Sequence, residues 1–217
     1  RISSINSISA ICEFTGANIS EVSNAVGKDS RIGSKFLRSG PGFGGSCFKK
    51  DILNLVYLSK YYGLDEVANF WKSVVEINDW QQKRIYKEIV TRLFGNLANK
   101  KIAILGFAFK ENTNDTRESP SICICKNLLN EGAFLSIHDE KVQQHTIDND
   151  LSSLEPSFGQ KELASPPRWE CQKDIYETLK DSDAAIFLTD WDNYSNLKWD
   201  KITKIVKKPF WVFDTRL

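Results

Sequence analysis

Residues 101 to 109, "KIAILGFAF", form an unbroken apolar run between polar flanks. A run that short, without alternation, reads as a strand buried on both faces of a parallel sheet. The residues after it keep changing period. "SPSICICKNLLNEG" (119–132) reads as a helix with Pro120 in its first turn and Gly132 at its end. "AFLSIHD" (133–139), "AAIFLTD" (184–190) and "PFWVFDTR" (209–216) read as three further strands. "DIYETLKDSD" and "WDKITKIVKK" read as helices between them. Strands alternating with helices predict a doubly wound parallel sheet over residues 100–217. The polar segment from Glu140 to Lys173, with Pro156, Pro166 and Pro167, is expected to be the least structured.

Upstream, the pattern is helical. Ile2, Ile5, Ile8, Ile11 and Cys12 mark one amphipathic helix, which Gly16 should stop. Asn18 with Glu21 resembles a capping box for a helix over 19–26, ended by Gly27. "CFKKDILNLVYLSKYYG" predicts a helix from residue 47 to Gly63. From Leu64 to Leu97 one amphipathic pattern continues through Phe70, Trp71, Val75, Ile85 and Ile89. A helix of that length would reach about 45–50 Å. It would bridge domains or pack on a partner subunit. The fold class is therefore α/β, with a helical domain over 1–99, a long connecting helix and a Rossmann-like domain over 100–217.

The chain has 217 residues, 41% of them hydrophobic and 26% charged, enough for a sizeable core. A net charge of +1 gives no reason to expect nucleic acid or an anionic membrane as partner. No apolar run approaches the roughly 18 residues of a membrane helix. The first residues already read as helix and the last follow a strand, so a piece of a longer protein is expected. Five cysteines, an odd number without metal-ligand spacing, fit a reduced, cytoplasmic compartment.

Doubly wound sheets take their ligands at the carboxyl ends of the strands. Phe109, Lys110 and Arg117 follow the first strand, Asp190 and Trp191 the third, and Arg216 the fourth. Rings for a base and cations for phosphates suit a nucleotide. The dinucleotide fingerprint G-x-G-x-x-G is absent after these strands. The other informative stretch is "GFGGSCFKKD", residues 42–51. Gly42, Gly44 and Gly45 could let a ligand lie flat on the backbone. Cys47 falls at the amino end of a helix, where free N–H groups favour an anionic sulfur, and Lys50 adds positive charge. Asp51 lies four residues on, along the same face. Thiol and carboxylate together suit a nucleophile with a group that handles water. From these residues alone, a plain turn before a helix and a thiol site both remain open.

The stretch "GFGGSCFKKD" closely resembles the active-site signature of the UDP-sugar dehydrogenases. "RISSINSISAICEFTGAN", "GKDSRIGSKFL", "DILNLVYL" and "KIAILGFAFKENTNDTRES" are also similar to members of that family, in the same order. The resemblance weakens only over about 140–180. It implies a helical central domain that makes a homodimer, leaving open whether dimers assemble into a hexamer, and a carboxyl-terminal domain that binds UDP. The amino-terminal NAD-binding domain of that family would be absent from this chain. The implied activity is the NAD-dependent double oxidation of UDP-glucose to UDP-glucuronate. A UDP-N-acetyl sugar or GDP-mannose is the alternative substrate, and a non-catalytic sugar-nucleotide-binding and dimerisation module the alternative role. The resemblance makes Cys47 the nucleophile, through a thiohemiacetal and a thioester, and Asp51 the residue that orients water. It places Lys50 and Arg117 toward the cofactor. Phe36, Leu37, Arg38, Gly42, Phe43 and Gly44 would wrap the substrate. Phe109, Lys110 and Arg216 would hold the sugar nucleotide, and Arg31 would reach a neighbouring subunit's site. Arg38 stands where lysine is common, keeping charge but changing donor geometry.

Overall fold

The structure is a computed structural model that describes residues 1–152 and 167–216. Its sheet has five parallel strands in the order β3-β2-β1-β4-β5. They are β1 (Lys101–Leu105), β2 (Phe134–His138), β3 (Trp169–Cys171), β4 (Ala184–Phe187) and β5 (Trp211–Asp214). β1 is shorter than the apolar run that predicts it. At Gly106, φ +97, the backbone turns where a Cβ would lie 2.4 Å from Thr189 Cβ. Phe107 and Ala108 then donate their N–H groups to Asp139 Oδ2 at 2.7 and 3.0 Å instead of to a strand.

The polar segment holds more structure than its composition predicts. α6 (Gln144–Ser152) buries only Ile147 and Leu151, too few apolar positions to mark a period. β3 is three residues long and pairs Leu135 with Trp169. Its "WEC" has no alternation to read, so the sequence shows four strands where the sheet has five. Pro156 and Pro166 fall outside the described residues. The remaining helices of this part are α5 (Pro120–Asn130), α7 (Ile175–Leu179) and the short α8 (Trp199–Ile202). Ser119 caps α5, its hydroxyl accepting from Ser121 N at 3.3 Å. Ile124, Cys125, Leu128 and Leu129 of α5 join Ile102 to Leu105 and Ala184 to Ile186 in one core.

Upstream lie α1 (Ile2–Thr15), α2 (Ile19–Gly27), α3 (Phe48–Tyr61) and α4 (Asp65–Arg92). α1 ends at Gly16, which is left-handed at φ 74. Asn18 Oδ1 caps α2, accepting from Ser20 N at 2.8 Å and Glu21 N at 3.4 Å. Gly27 does not end α2 by a left-handed turn. A Cβ there would stand 3.0 Å from Ser34 Cα, so the glycine lets the helix end lie on the loop that follows. α4 has 28 residues, about 42 Å, and stops at Arg92 instead of Leu97. Left-handed Phe94 and Gly95 turn the chain there, and Leu93 and Leu97 are returned to the core. α3 and α4 pack as a hairpin, α1 lies against α4, and α4 against α5. Among the described residues no helix is long and apolar enough to cross a membrane.

Candidate active site

A cavity of about 590 Å³ opens between the 36–48 segment and the carboxyl ends of the strands, a size suited to a nucleotide. Phe36, Arg38, Gly42, Phe43, Gly44 and Cys47 line one side. Phe109 and Lys110 after β1, Asp190 after β4 and Arg216 after β5 line the other. The switch point of the sheet lies between β1 and β4, where crossovers leave in opposite directions and a crevice forms. Arg38 bridges the two sides by an ion pair with Asp190.

Each cation of the site is differently held. Arg216 donates Nε to Leu188 O at 2.8 Å and Nη2 to Phe109 O at 3.3 Å. Burial draws its guanidinium down to about 10, against the opposing pull of Asp190 and with a further push from Arg38. An anion beside it would restore what burial removes. Lys110 is exposed, its Nζ 5.6 Å from the Phe109 ring centroid.

Cys47 is the N-cap of α3 and takes no part in a side-chain cap bond. Ser46 Oγ lies 3.6 Å from its sulfur. Cys47 is exposed, whereas Cys12 and Cys125 are buried and Cys123 and Cys171 partly so. Burial raises the thiol of Cys171 to about 12 and raises those of Cys123 and Cys125 as well. The accessible sulfur is therefore the one facing the cavity.

The glycines have a different role from the one the sequence suggests. A Cβ on Gly44 would lie 2.5 Å from Glu118 O and 2.8 Å from Phe109 Cβ. One on Gly45, φ +85, would meet the Phe109 ring at 3.0 Å, and one on Gly42, φ +119, Asn78 Oδ1 at 2.7 Å. Their missing Cβ atoms make room for neighbouring protein, while the backbone of all three lines the cavity. Gly45 N donates to Arg117 O at 2.7 Å, which ties this loop to the segment after β1.

Six of the residues singled out by sequence, Trp191 among them, do not line the cavity. Asp51 and Lys50 are exposed in the first turn of α3, Asp51 N bonding Cys47 O at 2.9 Å. Arg117 forks onto Asp115 at 2.8 to 3.2 Å with its side chain 68% exposed. Arg31 forks onto Asp29 and is 87% exposed. Leu37 is buried, its carbonyl accepting from Ser23 Oγ at 2.7 Å. It supports the loop from behind.

Other residues hold the site without being legible in the sequence. Asp139 takes the N–H groups of Phe107 and Ala108, Trp191 Nε1 at 3.1 Å, and the N–H groups of Lys141 and Val142, both at 2.9 Å. It thus fixes the ends of three strands around the crevice. Thr189 Oγ1 donates to Ala108 O at 2.6 Å. Asn6, Asn78 and Gln81 bond the glycine loop from α1 and α4. Asn78 and Gln81 do leave a signal: both are polar at buried positions of α4, where the helical stripe calls for apolar residues.

Among the described residues no cluster of His, Cys, Asp or Glu could hold a metal ion. A dinucleotide cradle needs a tight glycine turn between strand and helix. Here the glycine after β1 packs on Thr189, and residues 106–119 separate β1 from α5. The described residues do not fit a dinucleotide.

A doubly wound sheet whose crevice carries an arginine, a lysine and an aromatic ring, faced by an accessible thiol, has the architecture of a nucleotide-binding fold. Comparison with known proteins narrows the class. Residues 103–217 match the UDP binding domain of the UDP-glucose/GDP-mannose dehydrogenase family, and residues 1–80 match its central domain. The chain belongs to that family. UDP-glucose 6-dehydrogenase 4 of Arabidopsis thaliana is 49% identical over 222 residues, covering 100% of this chain and 46% of the relative. UDP-glucose 6-dehydrogenase of Drosophila melanogaster is 47% identical over 216 residues, covering 100% and 45%. A UDP-glucose dehydrogenase structure from Pyrobaculum islandicum superposes with a TM-score of 0.80 at 28% identity, over 100% of this chain and 44% of that one. The chain thus spans about half the length of the curated relatives it matches.

Proposed function

We propose that this chain holds the sugar nucleotide and supplies the thiol in the NAD-dependent oxidation of UDP-glucose to UDP-glucuronate. The observation that carries the reading is that Cys47 and the cations Arg38, Lys110 and Arg216 line one cavity. A diphosphate against Arg216 and Lys110 would lie in the same cavity as the sulfur of Cys47. The sulfur then adds to the C6 carbonyl at the aldehyde stage, forming a C–S bond while the carbonyl oxygen takes a proton. This carbon then loses a hydride, which NAD would accept when bound, as its hydroxyl gives up a proton, and is held as a thioester. Water adds to it, the C–S bond breaks, and sulfur leaves with a proton as the carboxylate forms. Thioesters hydrolyse more readily than amides, which suits sulfur to the task. Asp51, one turn along α3, orients that water. The described residues form no cradle for that NAD, and Lys50 and Arg117 would reach no more than its edge. The described residues act on the sugar nucleotide.

Arg31, paired with Asp29 and not lining the cavity of its own chain, would reach the site of a second copy in a homodimer. The reduced cysteines suit the cytoplasm. Cys47→Ser in the full-length protein tests the reading. UDP-glucose binding should stay within about threefold, while UDP-glucuronate formation falls by roughly 10³-fold or more. Undiminished uronate formation would contradict it. Competition between UDP-glucose, a UDP-N-acetyl sugar and GDP-mannose in the same assay reports the sugar preference.

A further inference from the structure

Gly40 and Phe43 sit in the segment that carries Arg38 at one end and Cys47 at the other. In neither residue is a backbone polar group bonded by secondary structure; side chains hold all four. Gly40 N donates to Asn6 Oδ1 at 2.9 Å, and Gly40 O accepts from Gln81 Nε2 at 2.9 Å. Phe43 N donates to Asn78 Oδ1 at 2.8 Å, and Phe43 O accepts from Asn78 Nδ2 at 3.1 Å. Asn6, Asn78 and Gln81 are 0%, 2% and 2% exposed. Burying an amide is costly unless it is bonded, and hydrophobic residues serve the α4 stripe at less cost. Asn6 keeps its place although Nδ2 has no hydrogen-bond partner among the described residues. The cost is concentrated behind one loop.

That loop also fits closely on its other side. The spot a Cβ would take on Gly40 is 3.4 Å from Arg216 Nη1 and 3.6 Å from Thr215 O. The place for a Cβ on Gly42 is filled by Asn78 itself, 2.7 Å away. A shift of the loop toward the cavity closes on Arg216, and a shift away breaks the amide bonds.

We propose that Asn6, Asn78 and Gln81 are positioning residues: a carboxamide clamp from α1 and α4 that sets the path of residues 40–43, and through it the width of the sugar-nucleotide cavity. The ligand's identity rests on the reading of the site given above; the clamp rests on the bonds. None of the three acts on the reacting atoms. Their effect passes through Arg38, Phe43 and Cys47.

Asn78→Asp separates positioning from mere support, because it keeps the shape and the acceptor for Phe43 N. The second carboxyl oxygen of the variant faces Phe43 O. Protonated, it donates as the amide did; ionised, it repels that carbonyl. Two measurements on the wild type and the variant, well below both melting temperatures, test the clamp. The first is hydrogen exchange of the segment 36–47. In the variant, exchange should quicken relative to wild type at pH 8 and approach it at pH 5, while β1 and β4 stay protected. The second is the dissociation constant for UDP. The ratio of variant to wild type should be about tenfold or more at pH 8 and shrink toward one at pH 5. Gln81→Met, uncharged, should weaken UDP at both pH values. Loop exchange equal to wild type, or a lowered melting temperature with an unchanged UDP constant, would overturn the proposal. A wild-type protein that binds no UDP would contradict the sugar-nucleotide reading instead, and exchange alone would then decide the clamp.

Discussion

Gly44 shows how little space the thiol loop leaves. Its missing Cβ would overlap Glu118 O at 2.5 Å and Phe109 Cβ at 2.8 Å, both on or next to backbone. Neither can swing aside as the end of a long side chain could. Gly44→Ala should therefore destabilise the fold by about 1–3 kcal/mol, read as a lowered urea midpoint at constant slope. The same change pushes on Phe109, whose carbonyl accepts from Arg216. An unchanged midpoint would mean that the loop and the segment after β1 are not in contact. Cys47 makes the complementary point. Its position at the start of a helix is readable from sequence, and the structure adds the exposure that four other cysteines lack in part or whole.

At the level of elements, β2 carries a histidine that should report on the sheet's carboxyl edge. His138 is 6% exposed, and its Nδ1 lies 2.8 Å from Tyr194 Oη. Burial lowers its affinity for a proton below the ordinary 6.5, opposed by Asp139 and Glu140. The unfolded chain thus binds a proton at a pH where the fold still resists it. Stability rises with pH through that window and falls as the medium is acidified below about 6.5. His138→Gln should remove this part of the slope. Urea midpoints taken from pH 5 to 7.5 would show it, and parallel profiles for the two proteins would refute it. The α3–α4 hairpin poses a separate question. Tyr57, Tyr61 and Phe70 are 66%, 72% and 61% exposed on it. An apolar face of that kind is characteristic of an association surface. Sedimentation at micromolar concentration should give a dimer, and Phe70→Glu should shift it toward monomer. A wild-type monomer would dissociate this face from self-association.

Across the whole molecule, what can be read from the chain is what repeats. "KIAILGFAF" and the runs that pair with it declare the parallel sheet because a buried strand needs every position apolar. Helix periods place α1 to α5 within a few residues. β3 escapes because "WEC" is too short to have a period, and α6 because it buries two side chains. Two of the cavity's cations, Lys110 and Arg216, are legible from topology, since they follow strand ends, whereas Arg38 comes from the segment before α3. The cavity's supports are not legible in this way. Asn6, Asn78 and Gln81 bond backbone 34 to 41 residues away, and Asp139 bonds Phe107 and Ala108; no local pattern names such partners, although polar Asn78 and Gln81 at buried positions of α4 leave a signal. The glycines of 42–45 read as room for a ligand, whereas their empty space belongs to Phe109, Glu118 and Asn78. Arg31, Lys50, Asp51 and Arg117 stand outside the cavity, so whatever they do lies at its edge or beyond it.

One cavity joining the sulfur to the phosphate-binding cations is the claim on which the functional reading depends. Its most direct test is the rate at which iodoacetamide alkylates Cys47, followed by mass spectrometry of the five cysteines. UDP-glucose at ten times its dissociation constant should slow that reaction about tenfold, with free glucose having no effect. If Cys47 is alkylated at the same rate with UDP-glucose bound as without it, the thiol and the nucleotide site are separate places.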